Sequence, residues 1–385
     1  MNDKKYISIL LLCSFQSTYV TQLWDNIKKY STHIKVSLLT KDEAKQYYLN
    51  KITLDKAEHI YVYSSSSIRF WLETERIIRK LPTFDIIHSL WMEKCWGCHA
   101  QTLKSKAKYW FCSIGGSDLY RDSKNILCKL YQINILRKSD WFSSENIETK
   151  EEFIKVYGER YKSIPHTINN FGVDILDAIQ KRKNLNEGTE KIILAPQDKM
   201  VICCGYNANP AHQHLEMIQA FSRLPKDIIE TLYFVFPMTY YAVQNGYIDQ
   251  VRTAIQKITD DFVILEKFMN VEEMAEVVEA TDIMIHTQTT DQLSSTMLAH
   301  MYNGNIVIAG AWLPYHSLSE QGIYFVSVDA VNVIDKVLLD ILKNYEGYRG
   351  KCAGNAGIVY SMASWNMCTK KWIAVYDKLE ENGHV

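Results

Sequence analysis

The sequence predicts an α/β protein made of two doubly wound, Rossmann-like parallel-sheet domains. Three observations carry that expectation. Short apolar, β-branched runs alternate with longer segments of helical period through both halves of the chain. A length of 385 residues exceeds one ordinary core. A polar, glycine-containing stretch from Lys181 to Glu190 separates two sets of such runs. Alternating βα units imply parallel sheets with helices on both faces. Right-handed crossovers would bring the strand C-termini of both domains onto a shared cleft.

Taken in order, strands read at 6–13, 34–39, 60–63, 84–90, 109–114 and 141–143, with helices at 19–30, 68–80 and 125–137. After the seam, strands read at 200–205, 232–236, 262–265, 283–286, 306–309 and 324–328. Helices at 213–222, 248–257, 271–280, 293–302 and 331–344 separate them. The segment 358–379 reads as one or two helices crossing back to the first domain, packed through Trp365, Trp372 and Tyr376. The expected division is an N-terminal domain at 1–182, a linker at 183–197, a C-terminal domain at 198–357 and returning helices at 358–385.

Composition narrows the class. Apolar residues at 47% and charged residues at 23% fit a soluble globular protein and argue against disorder. The longest apolar run, 7–13 with Ser8 allowed, is too short to span a membrane. It follows Lys4 and Lys5 but precedes no small-residue cleavage site, so it reads as a first buried strand and not as a signal peptide. The expected address is cytoplasmic. Nine cysteines, odd in number and partly inside apolar strands (Cys13, Cys112, Cys203, Cys204), agree with a reducing compartment. Cys95-Trp96-Gly97-Cys98-His99 matches the haem-attachment pattern literally; without an export signal it reads as a helix start.

Charge is uneven. Residues 1–190 hold 29 Lys and Arg against 22 Asp and Glu, and the remainder 14 against 22. Eight basic residues crowd into 104–138: Lys104, Lys106, Lys108, Arg121, Lys124, Lys129, Arg137 and Lys138. Such a patch suits an anionic membrane surface or a pyrophosphate-linked lipid, and it equally describes a solvated helix face. No nucleic-acid-binding motif accompanies it, so nucleic acid is not an expected partner.

Missing motifs shape the chemistry. There is no GxGxxG after the first strand, no GxxxxGK[ST], no DxD pair and no HExxH. No metal is therefore expected, and a bound diphosphate must be neutralised by helix N-termini, backbone amides and a few side chains. Two loops suit that task. At Cys204–His214 in sequence, a glycine ends a strand and polar turn residues open a helix. The loop 287–296 is mostly Ser, Thr and Gln, and Asp291 there serves either as an N-cap or as a ligand-binding group.

The runs Phe84-Asp85-Ile86-Ile87-His88, Ser113-Ile114-Gly115-Gly116-Ser117-Asp118-Leu119 and Asn169-Asn170-Phe171-Gly172-Val173-Asp174 resemble successive landmarks of the first domain in retaining GT-B glycosyltransferases of family 4. In the second half, Gly205-Tyr206-Asn207-Ala208-Asn209-Pro210-Ala211-His212-Gln213-His214 resembles the diphosphate loop of bacterial 4-acetamido-4,6-dideoxygalactose (Fuc4NAc) transferases. Phe236-Pro237-Met238-Thr239-Tyr240 is similar to their second landmark, and Asp291-Gln292-Leu293-Ser294-Ser295-Thr296 to their donor loop.

The resemblance implies a GT-B fold and retaining, metal-independent transfer from a nucleotide sugar, UDP- or dTDP-linked by preference. The implied acceptor is a glycan or lipid-linked glycan in bacterial surface-polysaccharide (capsule or O-antigen) assembly, at the inner face of the plasma membrane. On this reading Asp291 and His88 are the catalytic candidates, although a lone histidine at a strand end, as His88 is, equally suits a packed structural role. The donor would meet Gly205, Tyr206, Asn207, His212, His214, Pro237, Tyr240, Lys267, Thr290, Gln292, Leu293, Ser294, Ser295 and Thr296. The acceptor would meet Ser14, Gln16, Gly115, Gly116 and Asp118, and the 312–315 turn would wall the donor pocket. The family usually carries two glutamates eight positions apart where Asp291 and Ala299 stand here. Its basic diphosphate pair is absent from the first loop, and a histidine common after the fifth strand is Gly115. A nucleotide-sugar 2-epimerase on the same scaffold and a non-catalytic sugar-nucleotide-binding partner are the competing readings.

Overall fold

Unbroken apolar strands need cover on both faces, and Ile9 to Leu12 are all fully buried. A computed structural model describes residues 6–64, 70–185, 195–240 and 246–381. Two compact units result, one of Met1–Gly172 with Trp365–Val385, the other of Val173–Ser364.

In the first unit, β1 (Ile7–Leu12), β2 (Ile34–Lys41), β3 (Ile60–Tyr63), β4 (Phe84–Ser89), β5 (Ala107–Ser113), β6 (Trp141–Ser144) and β7 (His166–Ile168) form a parallel sheet of order β3-β2-β1-β4-β5-β6-β7. In the second, β8 (Met200–Cys204), β9 (Leu232–Pro237), β10 (Phe262–Leu265), β11 (Ile283–His286), β12 (Ile306–Gly310) and β13 (Val326–Val328) take the order β10-β9-β8-β11-β12-β13, also parallel. Both are Rossmann orders. The winding reverses between β1 and β4 in one unit and between β8 and β11 in the other, and ligands of such sheets bind beyond the strand C-termini at that reversal.

The first unit ends at Gly172, not at 182. The helix Asp174–Leu185 turns its apolar face, with Val173, Leu176 and Ile179, onto the helix Val271–Ala280, and Arg182 pairs with Glu279 at 2.8 Å and Glu276 at 3.5 Å. Residues 186–194 of the expected linker lie outside the described residues. The returning segment also divides differently. The helix Asn355–Ala363 packs on the helix Ser295–Asn303 within the second unit. Only Trp365–Glu381 belongs to the first, where Trp365, Trp372 and Tyr376 join the core beside β1 and the helix Thr18–Tyr30.

Other differences are local. The edge strand β7 and the helices Asp42–Lys51 and Ile147–Tyr157 were not foreseen. The expected helix 68–80 is described from Phe70, residues 65–69 lying outside the described set. Cys95 and Cys98 are free thiols in the short helix Lys94–Cys98, one buried and one exposed. Gly97 is needed there because a Cβ would stand 2.4 Å from the Tyr131 carbonyl oxygen. No helix among the described residues is long and apolar enough to cross a membrane.

Candidate functional site

The reversal in the second unit is closed by hydrogen bonds between two loops. β8 runs into Gly205, whose N–H donates to the Ile285 carbonyl at 3.0 Å, extending the ladder to β11 one residue past the strand. Gly205 has φ +68, and a Cβ there would meet His214 Nε2 at 2.8 Å and His212 at 3.2 Å, so glycine alone fits. Asn207 turns the chain by accepting from the Asn209 N–H at 2.8 Å, and Asn209 caps the turn Pro210–His212. Gln213 then takes a left-handed conformation, φ 62, held by its side-chain N–H to the Thr287 carbonyl at 2.5 Å. The Thr289 N–H donates to the Ala211 carbonyl at 2.8 Å. Two helices open at this place, His214–Phe221 and Ser295–Asn303, and the first-turn N–H groups of each have no acceptor inside their helix.

Behind the loops lies a group of buried histidines. His212, His214, His286 and His300 are all fully buried. Tyr206 packs its ring on His212 and stacks on His286, with its hydroxyl on Gln288 Oε1 at 2.9 Å. His214 Nδ1 meets the Tyr247 hydroxyl at 3.2 Å, and neither ring nitrogen of His212 has a partner among the described residues. Burial, then the neighbouring His214 and His286, hold His212 well below its ordinary pKa, and burial takes His214 down to about 4. The site therefore offers neutral imidazoles and amide dipoles in place of formal positive charge.

Asp291 is not the helix N-cap. Ser294 takes that role, its hydroxyl accepting from the Met297 N–H at 3.1 Å. Asp291 Oδ2 instead accepts from the Tyr315 hydroxyl at 2.5 Å and lies 3.3 Å from His286 Nε2. Gln292 is buried, Leu293 joins the adjoining core, Thr290 is exposed, and Ser295 and Thr296 form the first helical turn. Trp312 donates to the Gln288 carbonyl at 2.8 Å, placing the 312–315 turn against this loop. Ala299 is buried in the core and offers no polar group.

The first unit carries a second closed reversal. Ser14, just past β1, donates from its N–H to Glu93 Oε1 at 3.0 Å, and its hydroxyl bonds Oε2 of the same residue. Asp118 Oδ2 accepts from the N–H groups of Met92 at 3.0 Å and Gly115 at 3.1 Å, fixing the turn after β5. Met92, Glu93 and Asp118 border a cavity of about 200 Å³ walled by Phe15 and Trp91. Burial pushes both Glu93 and Asp118 up to about 7. Gly115 is in contact with the Trp91 ring, Gly116 begins the short helix Gly116–Tyr120, and Gln16 is exposed.

Three expected roles change. His88 is a packed core residue, with Nδ1 on the Tyr376 hydroxyl and Nε2 on the Ser113 hydroxyl, both at 2.8 Å, and a ring stacked on Phe111. Fully buried, with its pKa lowered to about 3 by that burial, it has no nitrogen left for a substrate. Lys267 stands exposed beyond β10, the edge strand two places from β8, and among the described residues it makes no hydrogen bond or ion pair with either loop. Pro237 ends β9, and the Tyr240 carbonyl accepts from the Ala208 N–H at 2.9 Å. The basic stretch 104–138 also contracts. Lys104 bonds Asp140, Lys106 bonds the Arg79 and Leu81 carbonyls, and Lys108 pairs with Glu380. Arg121, Lys124 and Arg137 remain exposed, with Asp122 exposed beside the first two, and the helix residues Ile126, Leu127 and Leu130 are exposed by 70%, 61% and 51%.

His286 and Glu93 escaped the sequence reading, which carried Tyr315 and Gln213 only as members of the 312–315 turn and the 205–214 loop. A polar residue closing an apolar strand, as His286 closes β11, is the one signal that could have found the first of them. No group of three or more His, Cys, Asp or Glu among the described residues is arranged to hold a metal ion.

No family model matches the sequence, and no curated protein sequence matches it. Solved structures do share the fold. The Anabaena protein HepE in complex with UDP and glucose is 13% identical over 97% of this chain and 100% of its own, with a TM-score of 0.73. Sucrose-phosphate synthase from Thermosynechococcus elongatus is 13% identical over 98% and 100%, TM-score 0.73. UDP-GlcNAc 2-epimerase from Neisseria meningitidis bound to UDP-GlcNAc is 10% identical over 97% and 100%, TM-score 0.64. The two parallel-sheet Rossmann-like domains are thus of the GT-B type.

Proposed function

We propose that this protein transfers a glycosyl group from a nucleoside-diphosphate sugar to an acceptor hydroxyl, without a metal. The observation that carries the reading is the Ala211–Thr289 hydrogen bond, which draws two helix N-termini and the neutral histidines to one reversal point in a fold shared with UDP-binding proteins. As the anomeric C–O bond breaks, its electron pair goes to the β-phosphate oxygen. Amide dipoles already aimed at that oxygen stabilise the charge as it grows. The acceptor oxygen forms the new bond to the anomeric carbon, and its proton passes to the departing diphosphate, consistent with retention.

The donor loops are 205–214 and 287–296, with Asp291 orienting the sugar. The acceptor side is the cavity of the first unit lined by Glu93, Asp118, Phe15 and Trp91, whose carboxyl groups and aromatic walls suit a polyhydroxylated ring. The exposed Ile126, Leu127 and Leu130 beside Arg121 and Lys124 support an acceptor presented at an anionic membrane, as a lipid-linked glycan of surface-polysaccharide assembly would be.

The test is a thermal-shift panel of UDP-, dTDP-, GDP- and ADP-sugars with and without EDTA, followed by transfer assays on the sugar that stabilises most. Stabilisation by one nucleotide series, indifferent to EDTA, is expected. A flat panel contradicts the proposal. The 2-epimerase among the shared folds keeps a second reading open; conversion of UDP-GlcNAc alone to its epimer would favour it. Transfer that Asp291→Ala or Gln292→Ala abolishes would exclude a non-catalytic binder.

A further inference from the structure

Asp291 is the end of a hydrogen-bond string whose direction the structure determines. A phenol has one proton. Burial, and after it the Asp291 charge, holds the Tyr315 phenol well above its ordinary pKa, so the proton stays on Tyr315 and is directed to Asp291 Oδ2 at 2.5 Å. His286 Nε2 meets the same phenol oxygen at 2.9 Å, and with the phenol proton already committed, the hydrogen in that contact sits on Nε2. His286 Nδ1 faces the interior, buried and without a partner among the described residues.

A second buried imidazole, His300, lies near His286. Asn305 Nδ2 donates to the Val278 carbonyl at 2.8 Å, and its Oδ1 accepts from Asn303 at 3.0 Å, which fixes the amide's orientation. The same Nδ2 meets His300 Nδ1 at 2.8 Å, so Nδ1 accepts and the proton of this imidazole lies on Nε2, likewise buried and unpartnered among the described residues. Burial, and after it the nearby His286, hold His300 down to about 3, keeping it neutral. A lone pair on one ring and an N–H on the next therefore stand within the same interior.

We propose that His286 and Tyr315 are positioning residues that fix the Asp291 carboxylate through the one-way string His286→Tyr315→Asp291, leaving Oδ1 to receive a hydrogen bond from a hydroxyl of the transferred sugar. Oδ1 accepts no hydrogen bond from any described residue, and the Asp291 side chain keeps 15% of its surface exposed. The sugar end of this inference rests on the donor reading above; the string itself does not. The consequence is a specificity rule: the donor sugar must carry a hydrogen-bond donor at the position Oδ1 meets, because a deoxy analogue leaves a fixed carboxylate oxygen unpaired.

Two measurements on the full chain test it. In the unliganded protein, long-range nitrogen–proton NMR of labelled histidines, assigned with His286→Gln, should show His286 protonated on Nε2; a ring protonated on Nδ1 alone overturns the string. In kinetics, Tyr315→Phe should leave UDP affinity within about twofold while kcat/KM for the UDP-sugar falls about ten- to a hundredfold, the scale of one hydrogen bond to a charged group. His286→Gln, which restores an N–H near the Nε2 position, should recover most of what His286→Leu loses. Equal losses for Gln and Leu, or parallel losses of UDP affinity and melting temperature, overturn the positioning role. A wild-type protein inert to every sugar nucleotide defeats the donor reading and the sugar end together, while the NMR result still decides the string.

Discussion

The Thr289 N–H donates to the Ala211 carbonyl at 2.8 Å, joining loops that lie 78 positions apart in the sequence at the point where the second sheet reverses its winding. The Gly205 N–H to the Ile285 carbonyl and the Gln213 side chain to the Thr287 carbonyl make the same connection on either side. The first unit repeats the device with Ser14 and Glu93 across β1 and β4. In each unit, backbone that would otherwise splay at the reversal is held in one conformation. Preorganised dipoles need that rigidity, since a loop that must reorganise as charge develops stabilises less.

Gly205 gives the simplest test. Its left-handed backbone and the 2.8 Å approach of a Cβ to His214 Nε2 make Gly205→Ala doubly unfavourable. The expected cost is about 1–3 kcal/mol of stability, with nucleotide-sugar binding lost in the protein that still folds. Chemical denaturation and calorimetric titration read the two effects. An alanine variant with wild-type stability and affinity would show that the turn is not the tight junction described.

Acid should weaken the second unit more than the first. His212, His214 and His300 have folded-state pKa values below the ordinary value near 6.5, with His214 at about 4 and His300 at about 3. Above pH 6.5 these rings are neutral in both states and contribute nothing. As pH falls below 6.5 the unfolded chain takes up protons that the folded unit refuses. Each histidine then costs up to about 1.4 kcal/mol per pH unit until its folded pKa is reached. In the first unit His88 and His166, both at about 3, act in the same direction, but Glu93 and Asp118 at about 7 oppose them. Those raised carboxyl groups stabilise fully below their unfolded values near 4 and lose that contribution as pH rises through 7. Hydrogen exchange followed from pH 7 to pH 5 should show protection falling first across β8–β13. Equal loss in both units would contradict this.

Membrane attachment, if it follows the exposed patch, depends on apolar area and charge together. Replacing Ile126, Leu127 and Leu130 with serine removes three largely exposed apolar side chains without touching the buried Gln132, Ile135 and Leu136. Each basic residue near an anionic surface adds about 1 kcal/mol. Sedimentation with vesicles containing anionic lipid should therefore lose the triple variant almost entirely, and Arg121→Glu with Lys124→Glu should act alike. Wild-type protein that ignores anionic vesicles would remove the patch from the account.

The pattern of β-branched runs made both sheets legible, and the helix Val271–Ala280 matches its expected bounds because Asn270 and Glu273 form a capping box around an apolar face. β7 escaped because three residues at a sheet edge, only one of them apolar, carry no alternation to read. The seam was misplaced because the helix Asp174–Leu185 ends in the same polar stretch that suggested a linker. The site divides along similar lines. Loops after β8 and β11 could be named from strand ends and glycine alone. His88, one residue before the end of β4, and His286, the last residue of the equivalent strand β11, however, both stand at the end of an apolar run, and little that is local distinguishes them. Their difference is tertiary: Tyr376 from the returning helix occupies one ring, while Tyr315 links the other to Asp291.

Hydrogen-exchange mass spectrometry of the full chain with and without a UDP-sugar tests the central claim most directly, because it reports both binding and place. Slowed exchange of the amides in 205–214 and 287–297, unchanged by EDTA, is the predicted result. Protection confined to other segments, or none at saturating nucleotide sugar, would contradict a diphosphate held at the β8–β11 reversal.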